Sequence, residues 1–222
     1  MSHRAVWDLP GKTGEQRDKI IYNLKKSLGD NFFFIEIGAN DGIKHDPMHK
    51  LIKEFKLDGI LVEPLPIPFE NLKKNYKDCD FLQFDNIAIG RTTGKVPFYL
   101  CNMDTCSSSI KGAAVNRYGY TQIDVDMITL NDFISKHKLK DISMFHIDTE
   151  GIDYLLIEDI INSGLNPHII ECELNQLTSK ENVKKCLNFL QKNNYRCFRL
   201  NYKFASYDCL AIRNDIYESI KD

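Results

Sequence analysis

The sequence predicts an α/β fold: a mainly parallel sheet covered by helices on both faces. Strand-like and helix-like periods alternate from about residue 18 to the end of the chain. The strand-like runs are short and almost wholly apolar, as in strands buried on both sides, and two of them, Tyr195 to Leu200 and Asp208 to Ile212, close the chain as a pair.

Each element has a local reason. A helix over Asp18 to Leu28 precedes the run Asn31-Phe-Phe-Phe-Ile-Glu-Ile, a buried strand that stops at Gly38. Asp46-Pro47 offers an N-cap acid with proline at the first helical position, and Met48, Leu51, Ile52 and Phe55 share one helical face. Gly59 to Glu63 is a second buried strand, followed by a helix with Phe69, Leu72 and Tyr76 inward, and Phe81 to Phe84 is a third strand. Thr129 and Asp132 form a capping-box-like start for the helix carrying Leu130, Phe133 and Ile134. Ser143 to Asp148 is the next strand, Ile152 to Ile161 a helix stopped by Gly164, and His168 to Leu174 a fifth strand. Ser179 caps a helix that presents Val183, Cys186, Leu187 and Leu190. With no linker or repeat to divide the chain, residues 1–30 read as an N-terminal segment and helix, and 31–222 as a single domain. Residues 91–126 break the rhythm, with only short extended pieces such as Val96 to Cys101, and read as an irregular insertion of the kind that shapes a substrate pocket.

Composition narrows the function. Lys and Arg total 29 against 31 Asp and Glu, a net charge of -2 that gives no reason to expect nucleic acid as partner. No apolar run approaches the length of a membrane span, and the first thirty residues lack the order of a signal peptide, so the chain reads as cytoplasmic. Seven cysteines, an odd number, fit reduced thiols, and Cys101 and Cys106 have no second pair at zinc-site spacing.

In open α/β sheets, ligands bind at the carboxyl ends of the strands. The first strand ends in Glu36-Ile-Gly38-Ala39-Asn40-Asp41-Gly42, whose small residues let a ligand approach the backbone N–H groups. Roughly 25 residues on, Glu63 closes the second strand, where a carboxylate accepts hydrogen bonds from a ribose diol. The Gly-x-Gly-x-x-Gly spacing of a nicotinamide site is missing, which favours adenosine without diphosphate and points to S-adenosylmethionine.

Five ordered motifs resemble the FkbM family of S-adenosylmethionine-dependent methyltransferases, with matching segments from about Gly14 to Asn194. Phe34-Ile-Glu-Ile-Gly-Ala-Asn-Asp-Gly42 looks like the family's first cofactor motif, Gly59-Ile-Leu-Val-Glu-Pro64 its second and Asn86-Ile-Ala-Ile-Gly90 its third. Phe145-His-Ile-Asp-Thr-Glu-Gly151 looks like the Lys-Ile-Asp-x-Glu-Gly element, and Ile169-Ile-Glu-Cys-Glu173 like the strand after it. The resemblance implies the Rossmann-like class I methyltransferase fold, with a seven-stranded sheet ending in an antiparallel pair. It further implies that Glu36 to Gly42 wrap the methionine end of the cofactor, Glu63 with Pro64 holds the ribose, Asp85, Asn86 and Ile87 edge the adenine, and Asp148 faces the reacting centre. Two departures stand out: His146 replaces the family's usual lysine, and Lys44-His45-Asp46-Pro47 occupies a loop where relatives often show a Ser-Asn-Thr-like stretch.

Methyl transfer to a hydroxyl needs alignment and removal of one proton. Asp148, His45 and Glu173 are the candidate bases at the strand tips. Asp148, Glu150, Glu171 and Glu173 would be the ligands if magnesium were used, which is not the favoured reading. The implied acceptor is a hydroxyl on a sugar, glycan precursor or other small metabolite. Arg91, Lys95, Lys111 and Arg117, with Ser107 to Ser109, would meet a phosphate if the acceptor is a nucleotide sugar or phosphorylated metabolite. Trp7 is a candidate lid. The alternative function is a noncatalytic adenosyl-nucleoside-binding module of the same fold.

Overall fold

A computed structural model describes residues 7–9, 13–101, 119–174, 179–200 and 208–221. The described elements are β1 (Trp7–Asp8), α1 (Thr13–Leu28), β2 (Phe33–Ile37), α2 (His49–Phe55), β3 (Asp58–Val62), α3 (Pro66–Asn75), β4 (Leu82–Asp85), β5 (Ala88–Gly90), β6 (Gly94–Cys101) and β7 (Tyr120–Thr129). They continue with α4 (Leu130–His137), β8 (Met144–Ile147), α5 (Asp153–Asn162), β9 (Ile169–Glu173), α6 (Lys180–Lys192), β10 (Tyr195–Leu200), β11 (Asp208–Arg213) and α7 (Asn214–Ile220).

The main sheet runs β1-β10-β11-β9-β8-β2-β3-β4. All neighbouring pairs are parallel except those made by β11, which lies antiparallel between β9 and β10. The seven expected strands are all present, and the two-residue β1 adds an eighth at the edge. Trp7 belongs to that edge strand, paired by its backbone with Phe198 of β10.

Alternation within each central strand divides the core in two. Ile35, Ile37, Phe145, Ile147, Ile170 and Cys172 face α4, α5 and α6 on one side. Phe34, Leu61, Met144 and Ile169 face α1, α2, α3 and α7 on the other. Because both faces are covered, these strands carry apolar runs rather than the alternating pattern of half-exposed strands. The second face also carries the polar residues Glu36, His146 and Glu171, neighbours in register across β2, β8 and β9.

Capping follows the sequence in two helices and departs from it in a third. The Thr129 side chain accepts a bond from the Asp132 N–H at the start of α4, and Ser179 does the same for Asn182 at α6. At α2, however, the helix begins at His49 rather than Pro47. The Asp46 carboxylate accepts from the Met48 N–H at 2.6 Å, while the Pro47 carbonyl accepts from Arg17 instead of from the helix.

The segment expected to be an irregular insertion contains a regular strand pair. β6 and β7 are antiparallel over eight residue pairs, and β5 joins β7 in parallel, giving a separate three-stranded sheet. Its side chains Phe98, Val125 and Met127 pack with Leu65 and Ala88 in a small core of their own. Polar residues such as Lys95, Asp124 and Asp126 alternate with the apolar ones, since only one face of this sheet is covered. Lys111, Arg117 and Ser107 to Ser109 lie outside the described residues.

Candidate active site

A cleft opens at the carboxyl ends of β2, β3 and β8, walled on one side by the small sheet. Its floor and loops bring together Glu36, Gly38, Ala39, Asn40, Lys44, His45, Asp46, Glu63, Pro64, His146, Asp148, Thr149 and Glu150, and its apolar wall is formed by Leu65, Ile87, Ala88, Ile89, Phe98 and Ile152.

The glycine at the tip of β2 is required by geometry. Gly38 has φ +92°, and a Cβ there would sit 1.8 Å from the backbone oxygen of Asp148. The close approach is part of a strand-tip junction, in which the Asp148 N–H donates to the Ile37 carbonyl and the Gly38 and Ala39 N–H groups donate to Val62. Asn40 and His45 also hold positive φ, at 47° and 62°. Such conformations cost energy and cluster where a site needs a particular backbone shape.

Glu63 is buried and fixed by two backbone donors. The Asn40 N–H reaches Oε2 and the Leu65 N–H reaches Oε1, both at 2.8 Å. Burial pushes its carboxyl up to about 7, against the two amides that favour the charge and with a further upward push from Asp148. Each oxygen keeps a second lone pair, so the carboxylate is held in one orientation and still accepts hydrogen bonds from a diol.

Asp148 sits at the tip of β8, and its Oδ1 is buried without a hydrogen-bond partner. Burial raises its carboxyl above the ordinary range, while His146 and a hydrogen bond from Glu173 act in the opposite direction. Glu173 is pushed up to about 10 by burial and by the carboxylates of Asp148, Glu150, Asp153 and Asp208. It is therefore the protonated member of the pair and donates to Asp148. Glu173 stands behind Asp148 rather than among the lining residues.

The floor beneath carries charge in a row. His146 Nδ1 lies 3.2 Å from Glu36 Oε1, with an alignment that leaves His146 Nδ1 and Glu36 Oε2 without a hydrogen bond. Burial alone would lower the His146 pKa, but Glu36 and Glu171 together push it up to about 9, so the ring is cationic at neutral pH. Asp46, beside Glu36, is raised to about 7 by burial and by that neighbour. Sequence reasoning read Asp46 as a cap and as part of the departing Lys44-His45-Asp46-Pro47 loop, and missed Thr149 and Phe98 in the lining and Arg17 behind that loop.

Several expected cofactor contacts are placed elsewhere. The Asp85 carboxylate is taken by Lys136 Nζ at 2.7 Å and His137 Nε2 at 2.8 Å of α4 and does not line the cleft. The Asn86 side chain donates to the Glu63 and Pro64 carbonyls, bracing the loop, while Ile87 alone of that trio lines the wall. Asp41 accepts from the Ile43 and Lys44 N–H groups in a local turn, and Gly42 packs against Tyr76, so both shape the loop from behind. Of the four carboxylates considered for a cation, Asp148, Glu150 and Glu173 have oxygens within 4.8 Å of one another, whereas Glu171 is turned to Arg17. Arg91 binds Glu158 and Asp159 of α5, and Lys95 pairs with Asp126, so neither points into the cleft.

A cleft at the tips of parallel strands, with a glycine turn on one strand and a fixed carboxylate on the next, is the arrangement with which Rossmann-like folds take a nucleoside. The profile of the methyltransferase FkbM domain matches residues 36–197, and the chain belongs to this family of S-adenosylmethionine-dependent methyltransferases. Among solved structures, the chain is similar to the methyltransferase FkbM from Methylobacillus flagellatus KT, with a TM-score of 0.54 and 15% identity over 82% of this chain. It spans 44% of that protein's length. The METTL16 MTase domain aligns with a TM-score of 0.52 and 11% identity, covering 91% of this chain and 69% of the other. The N-terminal domain of human METTL16 gives 0.50 and 12% over 87% and 68%. These likenesses establish a common fold. No curated protein matches the chain in sequence. S-adenosylmethionine is the cofactor, and the residues present fit it: a buried carboxylate held by two backbone amides, a glycine whose position leaves no room for a Cβ, and buried Glu36 and Asp148 oxygens without a hydrogen-bond partner in residues that line the cleft.

Proposed function

We propose that the chain methylates a hydroxyl oxygen on a sugar, glycan precursor or related small metabolite, in the cytoplasm. The observation that carries this reading is the buried, unpartnered Asp148 Oδ1, in a cleft that also holds Glu63. A carboxylate so placed takes the proton that a hydroxyl must lose. Glu173, protonated behind it, donates to the other side of the carboxyl and steadies it. His45, in the loop over the cleft, is a second group within the same lining. S-adenosylmethionine, when bound, supplies a methyl group on a sulfonium. Glu63 would hold the ribose, Glu36 to Asn40 the methionine end, and Ile87 with Ile89 the adenine face. The cytoplasmic assignment is supported by the six cysteines among the described residues, all free and buried.

The test is calorimetric titration with S-adenosylhomocysteine, with NAD as control and a second run in magnesium, followed by a screen of sugars and nucleotide sugars for methyl transfer. Binding of S-adenosylhomocysteine alone and a methylated product are expected. The variant Asp148→Asn should still bind while turnover falls by about 10²- to 10⁴-fold. Binding with no turnover on any acceptor would instead identify the noncatalytic module, and a magnesium requirement would turn the Asp148, Glu150 and Glu173 carboxylates into ligands.

A further inference from the structure

The polar row on the α1 face of the sheet extends beyond the cleft. Glu36, His146 and Glu171 are consecutive neighbours across β2, β8 and β9, so His146 has a carboxylate on each side. All three are buried, at 1%, 7% and 2% exposure. Only Glu36 and His146 line the cleft. Two carboxylates flanking one imidazolium compete for it, and the row by itself does not decide which is served.

Arg17 decides it. This α1 side chain is 1% exposed, and it grips Glu171 with Nε at 3.0 Å to both oxygens and Nη2 at 2.8 Å to Oε2. A guanidinium fork is the donor geometry that satisfies a carboxylate bidentately. The same guanidinium donates through Nη1 to the Pro47 carbonyl at 3.0 Å, and so touches the loop that carries His45 and Asp46. Arg17 precedes the matched family region, which begins at residue 36.

We infer that Arg17 is a positioning residue of the cofactor site: by occupying Glu171 it reserves the His146 imidazolium for Glu36, and thereby sets the end of the cleft that receives the methionine portion of the ligand. The inference rests on the proposed placement of the methionine end at Glu36. It distinguishes the two ends of the site, because the hydrogen bonds that fix Glu63 come from the Asn40 and Leu65 amides and not from the row. Removing the guanidinium leaves Glu171 as an unpaired neighbour of His146, and the imidazolium is then shared between two carboxylates.

The experiment compares S-adenosylhomocysteine with methylthioadenosine, which lacks the amino-acid end, by calorimetry on the full chain and its variants. Arg17→Met is expected to weaken S-adenosylhomocysteine about tenfold, the equivalent of one charge-assisted contact, and to leave methylthioadenosine unchanged. Adding Glu171→Gln removes the competing carboxylate and should bring the affinity back to within about threefold of the parent. Arg17→Lys keeps the charge without the fork and should fall between the parent and Arg17→Met. The double variant Arg17→Met with Glu171→Gln carries the test if Arg17→Met alone does not fold. Equal losses for both ligands, no loss in folded Arg17→Met, or a tenfold loss that persists in the rescued variant would overturn the inference. A parent chain that binds neither ligand would instead overturn the functional reading beneath it.

Discussion

Glu63 is held by its own loop and is also the residue proposed to hold the ribose. Its two oxygens already hold the Asn40 and Leu65 amides, so Glu63→Ala removes the loop's internal partner together with the proposed ribose acceptor. The expected loss in S-adenosylhomocysteine affinity is about 1–3 kcal/mol, measured by calorimetry; an unchanged dissociation constant would remove the ribose assignment. The pH dependence has a definite sign. With its carboxyl pushed up to about 7, Glu63 is fully ionised only above that pH, so affinity should fall as the pH drops through it. Much at this scale was legible from position alone: strand tips collect ligand-binding groups, and Glu36, Gly38, Ala39, Asn40, Glu63 and Asp148 all line one cleft. Roles that depend on distant partners were not legible. Nothing near Asp85 in the chain announces Lys136 and His137, and Arg17 lies 154 residues from the glutamate it binds.

Among the elements, strand assignments from apolar runs agree with the structure to within two residues, with Tyr195–Leu200 matching at both ends. Burial on both faces is what makes such runs readable. The elements that escaped are those with one wet face. β7 carries polar residues at alternate positions, whereas most of its partner β6 was read as the extended piece Val96 to Cys101; α7, with Ile216, Tyr217 and Ile220 as its inward side chains, is too short and polar to show a period. The start of α2 moved because its capping groups are engaged elsewhere, by Met48 and by Arg17. The junction between β2 and β8 gives the strongest prediction at this scale. Gly38→Ala forces a methyl group against the Asp148 carbonyl in a backbone conformation that alanine rarely adopts. Urea unfolding should show a loss of about 2–4 kcal/mol. An unchanged midpoint would mean that the two strand tips do not approach as described.

For the molecule as a whole, buried acids in and around the site make stability depend on pH. Asp46, Glu63, Asp153 and Asp208 are all raised to about 7, in each case chiefly by burial. A carboxyl raised by folding binds its proton more tightly in the native state, so its contribution is complete below the ordinary carboxylate range and is lost as the pH rises through the raised value. His146, raised to about 9, acts in the same direction at higher pH. The ligand-free chain is therefore expected to melt at progressively lower temperature from about pH 5 to about pH 9, as followed by circular dichroism. The carboxylates lowered by surface partners, Asp132, Asp215, Glu181 and Glu218, act in the opposite sense but only in more acidic solution. A melting temperature that stays flat or climbs over the neutral range would contradict the burial of these four acids.

The division of the cleft between two sheets separates what natural variation is free to change from what it is not. The floor is written into strand register, so a change at Glu36, His146 or Glu171 disturbs three adjacent strands together. The wall belongs to a small sheet with its own packing around Phe98, Val125 and Met127. A change at Phe98 therefore reshapes one side of the cleft while leaving in place the floor and the Ile87 and Ile89 surface proposed for the adenine.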